Sequence, residues 1–205
     1  QYVADLEQLL AALDLGDIDW IGASLGGLVG MTLAARPAAR VRRLVLNDVG
    51  PWVPAAALAR IGEHLGHHPW FEDLDAADAH IRRVRADSGA LTDEQWRRLT
   101  TRNVRPAPEG GYRLHYDPDV ALWYRETSLR DLDVWATWNG ITCPVLVLRG
   151  AESDFLLGET TREMARRGPG ARVVEIAGCG HAPPLMHPAQ FAPVVDWLGP
   201  VSPAR

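Results

Sequence analysis

The chain has 205 residues, 47% of them hydrophobic and 23% charged, with a formal net charge of -5. That is the composition of a folded globular protein with enough chain for one sizeable core and an inserted subdomain. The mild acidity argues against a nucleic-acid partner, and all 21 basic residues are Arg, which removes a P-loop lysine, a Schiff-base lysine and a Ser-Lys dyad. No apolar run approaches the roughly 20 residues of a membrane helix. Cys143 and Cys179 are the only cysteines and make no CxxC pair, so a disulfide scaffold and a zinc finger are both excluded. They are expected to be reduced, mostly buried thiols in a cytoplasmic protein.

Residues 2–15 carry Val3, Leu6, Leu9, Leu10 and Leu13 at helical spacing, with Gly16 as the stop. Residues 17–23 then read as a strand, 25–35 as a helix ending before Pro37, and 43–47 (RLVLN) as a second strand. Between residues 52 and 138 no strongly apolar strand is visible. Helical segments are expected there near 55–65, 76–86, 93–103 and 119–128, with Thr92 and Gln95 as a capping box. Residues 112–116 read as a small strand after the turn formed by Pro106, Pro108, Gly110 and Gly111. The strand–helix pattern resumes with a strand at 144–148 (PVLVL), a helix at 158–167, a strand at 172–176 (RVVEI) and a helix at 189–198. Short apolar strands alternating with helices indicate an α/β fold with a parallel sheet of about four strands, covered on both faces. The expected organisation is a core of residues 1–51 and 139–199, a helical insertion at 52–138, and a frayed tail at 200–205.

Gly22-Ala23-Ser24-Leu25-Gly26-Gly27 sits where a strand ends and a helix begins. A turn that tight needs small flanking residues and forces its central Ser into an exposed, strained position at a helix N-terminus. A hydroxyl is a weak nucleophile alone, so it needs a base and a group that orients the base. A rival reading is the dinucleotide fingerprint G-x-G-x-x-G, with Gly22 and Gly27 at its ends and Asp48 as the ribose-binding acid; Ser24 then stands in place of the middle Gly. The remaining turns favour the nucleophile. The third strand runs into Arg149-Gly150-Ala151-Glu152-Ser153-Asp154 and the fourth into Gly178-Cys179-Gly180-His181. Both turns leave the C-terminal ends of parallel strands, where open α/β sheets place their sites. His187 is an alternative base, although Met-His-Pro reads as a helix start. His64 and His68 lie four apart but have no third ligand, so a solvated helix face is expected and no metal. The Trp-rich insertion reads as core packing, part of which could roof an apolar acyl pocket.

The segments IGASLGG, LRGAESD and GCGHAP, in the order Ser, Asp, His, resemble the α/β-hydrolase superfamily, and LNDVGP with the helical insertion resembles its lid-bearing esterase and carbon–carbon-bond hydrolase branches. The resemblance implies Ser24 as nucleophile, His181 as base, Asp154 as orienting acid and the Leu25 N–H as an oxyanion donor. Asp48, after the second strand where some members keep their acid, and Glu152 are the alternative acids. It implies a small apolar ester-like substrate, an acyl-enzyme, and no metal or organic cofactor. A serine at the elbow argues against the dehalogenase and epoxide-hydrolase branches, which use Asp there. A non-catalytic binding protein of the same fold and a nucleotide-binding oxidoreductase are the competing functions. The family also has strands before the elbow and a His-Gly loop that gives a second oxyanion donor, neither of which is in this sequence. The expectation is therefore the C-terminal part of a longer hydrolase, with an exposed elbow strand and weak or no activity by itself.

Overall fold

The computed structural model describes residues 1–122 and 130–199. Helix α1 (Tyr2–Ala12) buries none of its residues fully, and only Val3 and Leu6 rest on the core. Strand β1 (Ile18–Ala23) leads through Ser24 into α2 (Leu25–Ala34), which buries Val29, Met31 and Leu33. Strand β2 (Val41–Asn47) follows. After the insertion come β8 (Val145–Gly150), α7 (Gly158–Met164), β9 (Arg172–Ile176) and α8 (Pro188–Leu198). The four strands form one sheet in the order β1-β2-β8-β9, and every neighbouring pair is parallel.

Successive side chains of a strand point to opposite faces, and both faces of this sheet are covered. Leu44, Leu46, Val145 and Val147 pack with Met31, Leu33 and Trp138. Val45, Leu146 and Leu148 pack with Ile176 and Val194. Double coverage is why RLVLN and PVLVL are apolar without alternation, and each fully buried side chain stabilises the fold by about 1.5–3 kcal/mol. Asp19, Arg42 and Arg43 close the N-terminal rim of β1 and β2: both guanidinia grip the Asp19 carboxylate, and Arg43 also donates to the Leu198 carbonyl of α8 at 2.6 Å.

The insertion contains α3 (Ala55–Gly62), α4 (Leu74–Val84), α5 (Asp93–Asn103) and α6 (Trp135–Asn139). The expected capping box is present, with the Thr92 hydroxyl accepting from the Gln95 amide while the Gln95 side chain accepts from the Thr92 N–H. The insertion also holds short strands that periodicity does not reveal. Strands β3 (Trp52–Val53) and β7 (Leu132–Asp133) pair antiparallel, so the insertion leaves and re-enters the core at one place. Strands β4 (Trp70–Phe71), β5 (Val104–Pro106) and β6 (Tyr112–Leu114) make an antiparallel sheet in the order β4-β6-β5. Phe71, Ile81, Trp96 and Leu114 form the insertion's own core. Trp138 belongs instead to the main core, where its indole N–H donates to the Arg167 carbonyl at 2.9 Å. Of the helix expected at 119–128, the first part is a 3₁₀ turn (Pro118–Ala121). Residues 123–129, with Trp123 and Tyr124, and the tail 200–205 lie outside the described residues.

Candidate active site

The Gly22–Gly27 turn is as tight as its sequence demands. A Cβ at Gly22 would overlap the Gly26 carbonyl, so strand end and helix start meet backbone against backbone. Ser24 takes φ 47° and ψ -119°. A non-glycine residue there costs on the order of 1–3 kcal/mol, and the surroundings must hold it. The Ser24 N–H donates to the Asn47 carbonyl at 3.3 Å, and the Ser24 carbonyl accepts from Gly27 and Leu28 at 2.9 and 3.1 Å. Leu25 is the first residue of α2, so its N–H is one of the donors that an α-helix cannot satisfy internally.

The histidine turn brings His181 over this elbow. Its Nε2 lies 3.1 Å from the Ser24 Oγ, and its Nδ1 lies 2.8 Å from the Asp48 Oδ2. An ionised carboxylate can only accept, so Nδ1 carries the proton and Nε2 is left to accept from the hydroxyl. The Phe155 ring lies against the imidazole at 4.1 Å between centroids. Asp48 is wholly buried with φ 55°. Its Oδ1 accepts from the Gly150 N–H at 2.8 Å, and its Oδ2 accepts from the Ser153 hydroxyl at 2.6 Å and the Ala182 N–H at 3.3 Å. The carboxylate is thus enclosed by donors and aimed at one imidazole, which leaves none of it for a ribose.

Asp154, expected beside His181, is not its partner. The Arg60 guanidinium binds Asp154 through Nε and Nη2 at 2.7 and 2.6 Å, and the side chain is 53% exposed. The Arg60 hydrogen bonds hold the Asp154 carboxyl below its usual range against an opposing desolvation. The cause lies in the turn. Ser153 points inward, donates to Asp48 and accepts from the Phe155 and Leu156 amides at 3.1 Å, so the next residue faces outward toward α3. Glu152 is exposed and has no hydrogen bond to the imidazole.

The other histidines are elsewhere. His187 caps α8, its Nδ1 accepting from the Ala189 amide at 3.2 Å. His64 falls beyond the end of α3, and His68 bonds the Leu114 carbonyl, so they share no helical face. Among the described residues no group of three or more His, Cys, Asp or Glu side chains could hold a metal ion, and no helix is long and apolar enough to cross a membrane. Burial raises both thiols, and Cys179 is enclosed between the Ser88 carbonyl and the Gln190 amide. Asn47 and Asp87 also touch the histidine turn and escape sequence reasoning, Asp87 because 94 residues separate it from the amide it contacts.

The sequence matches the alpha/beta hydrolase family over residues 1–194. It is 40% identical over 200 residues to the 3-hydroxybutyrate-oligomer hydrolase of Cupriavidus necator, a match covering 94% of this chain and 68% of that protein. It is 30% identical over 190 residues to the pimeloyl-[acyl-carrier protein] methyl ester esterase of Aromatoleum aromaticum, covering 85% of this chain and 71% of that one. An alpha/beta hydrolase from Novosphingobium aromaticivorans superposes with a TM-score of 0.86 at 35% identity, over 97% of this chain and 70% of its own. With this parallel sheet and this strand–serine–helix turn, the chain belongs to the alpha/beta hydrolase family, as an enzyme of the hydrolase type.

Proposed function

We propose that Ser24, His181 and Asp48 act as nucleophile, base and orienting acid in the hydrolysis of carboxylic esters. The observation that carries this reading is the continuous hydrogen-bonded line Ser24–His181–Asp48, with distances of 3.1 and 2.8 Å. His181 Nε2 takes the hydroxyl proton as the Ser24 Oγ attacks the ester carbonyl. The buried Asp48 carboxylate keeps Nδ1 protonated and balances the imidazolium. The Leu25 N–H stabilises the oxyanion at the N-terminus of α2. Collapse expels the alcohol, which receives the proton from His181. Water, activated by the same Nε2, then releases the acid from Ser24.

Residues 52–138 serve as the lid in this reading, closed at the neck by the β3–β7 pair and tied to the core by Arg60 on Asp154. The 40% identity to a 3-hydroxybutyrate-oligomer hydrolase supports a linear hydroxyacid oligoester as the substrate class. Incubation with a fluorophosphonate probe and with 3-hydroxybutyrate dimer tests both points. The parent chain is expected to label at Ser24 and to release monomer, if only at a low rate, and Ser24→Ala to do neither. Monomer release that survives Ser24→Ala would remove the serine mechanism.

A further inference from the structure

The turn that carries His181 is gripped from two sides. From the core, Asp48 accepts from the Ala182 N–H, and the Asn47 amide donates to the Pro183 carbonyl at 2.8 Å. From the insertion, the Asp87 carbonyl accepts from the Gly180 N–H at 2.7 Å, and the Asp87 Oδ2 accepts from the His181 N–H at 3.0 Å. The next residue joins in, because the Cys179 thiol donates to the Ser88 carbonyl at 3.4 Å. The fit leaves no spare room, since a Cβ on Gly180 would overlap the Asp87 carboxylate. Ala182, just past the base, sits at φ 57°, a conformation the turn would not keep unsupported.

Asp87 has no hydrogen bond to Ser24 or to the imidazole, yet it holds two successive amides of the turn from the far side of the sequence. We infer that Asp87 is a positioning residue through which the insertion sets the placement of His181 over Ser24. This rests on the serine-hydrolase reading and extends it. A base must stand within about 0.5 Å of its productive position, and the strained histidine turn meets that demand only while both grips hold. The insertion is then more than a cover for the substrate. The histidine turn is thereby tied to the α4–α5 segment as well as to the core.

Asp87 also faces the Arg85 guanidinium, the charge of which is disfavoured by burial and supported by that carboxylate. Two variants separate these roles. Asp87→Ala removes the acceptor and the charge, whereas Asp87→Asn removes only the charge. Any change the two share belongs to Arg85, and the difference between them belongs to the bond to His181. The measurements are kcat and KM for p-nitrophenyl butyrate, together with hydrogen exchange at the His181 amide. Asp87→Ala is expected to lower kcat roughly tenfold with KM within about twofold, and to speed exchange at His181. Asp87→Asn is expected to keep kcat within about threefold of the parent and the amide protected.

Unchanged kcat in the Ala variant of an active parent overturns the proposal. So does a rise in KM alone, an Asn variant as impaired as Ala, or equal exchange in all three proteins. A parent that neither turns over nor labels at Ser24 while its His181 amide stays protected rejects the serine-hydrolase reading itself, and the positioning role with it. If Asp87→Ala does not fold, Asp87→Ser, whose hydroxyl is too short to reach, replaces it under the same criteria.

Discussion

Asp48 and Asp154 each follow the end of a core strand, and one residue decides between them. Ser153 turns inward and donates to Asp48, which sends Asp154 outward to Arg60. Asp48→Asn is therefore expected to lower ester turnover by roughly 10⁴-fold, because the amide no longer fixes the Nδ1–H tautomer of His181. Asp154→Asn loses only a half-exposed ion pair, worth at most about 1 kcal/mol, and is expected to retain most activity. Turnover of the two variants on the same ester panel checks this, and the reverse pattern would restore Asp154 as the acid. Another carboxylate, Asp19, has a structural task. Hydrogen bonds from Arg43 and then Arg42 hold it far below its ordinary value of 3.8. A depressed carboxyl contributes stability that is complete above its unfolded value and is lost as the pH falls toward the folded one. Asp19→Asn is expected to cost about 1 kcal/mol at pH 7 and progressively less below about pH 4. Urea midpoints of parent and variant at pH 7 and pH 3 measure this difference.

At the scale of elements, legibility followed length and periodicity. The four core strands and the helices between them were visible because doubly buried strands are continuous apolar runs and α5 starts on a capping box. Strands β3, β4 and β7 have two residues each, too few for any period, and only their pairing partners define them. Residues 135–139 look like part of a Trp-rich insertion, yet α6 belongs to the main core, with Trp138 fully buried against α2 and the Arg167 carbonyl. Trp138→Ala is expected to cost about 3–5 kcal/mol, a large share of the roughly 5–15 kcal/mol that holds a domain folded. The urea midpoint checks it, and a loss below about 1 kcal/mol would show that the core collapses around the gap. Trp96 packs inside the insertion and Trp70 is exposed, so among the described residues neither these two nor Trp138 reaches the imidazole, where Phe155 stacks instead.

At the scale of the molecule, β1 forms one edge of the described sheet and Ile21 on it is 50% exposed. Unpaired strand edges template association with other chains, and a charge on the strand discourages it. Ile21→Lys is expected to reduce self-association measured by sedimentation while leaving the helix and strand content unchanged. Equal association in both proteins would show that another surface drives it. The sequence by itself determined the class of fold, the strand–serine–helix turn and the histidine turn. Each of those is a local matter of apolar runs, small residues at a strand–helix turn and a glycine-flanked histidine after a strand. Only the tertiary structure decided which acid meets His181 and which residue of the insertion clasps its turn. Asp48 and His181 are 133 residues apart, and Asp87 and His181 are 94. Contacts at such separations are set by the strand order β1-β2-β8-β9 and by the direction of one inward-facing serine, and no local pattern encodes either.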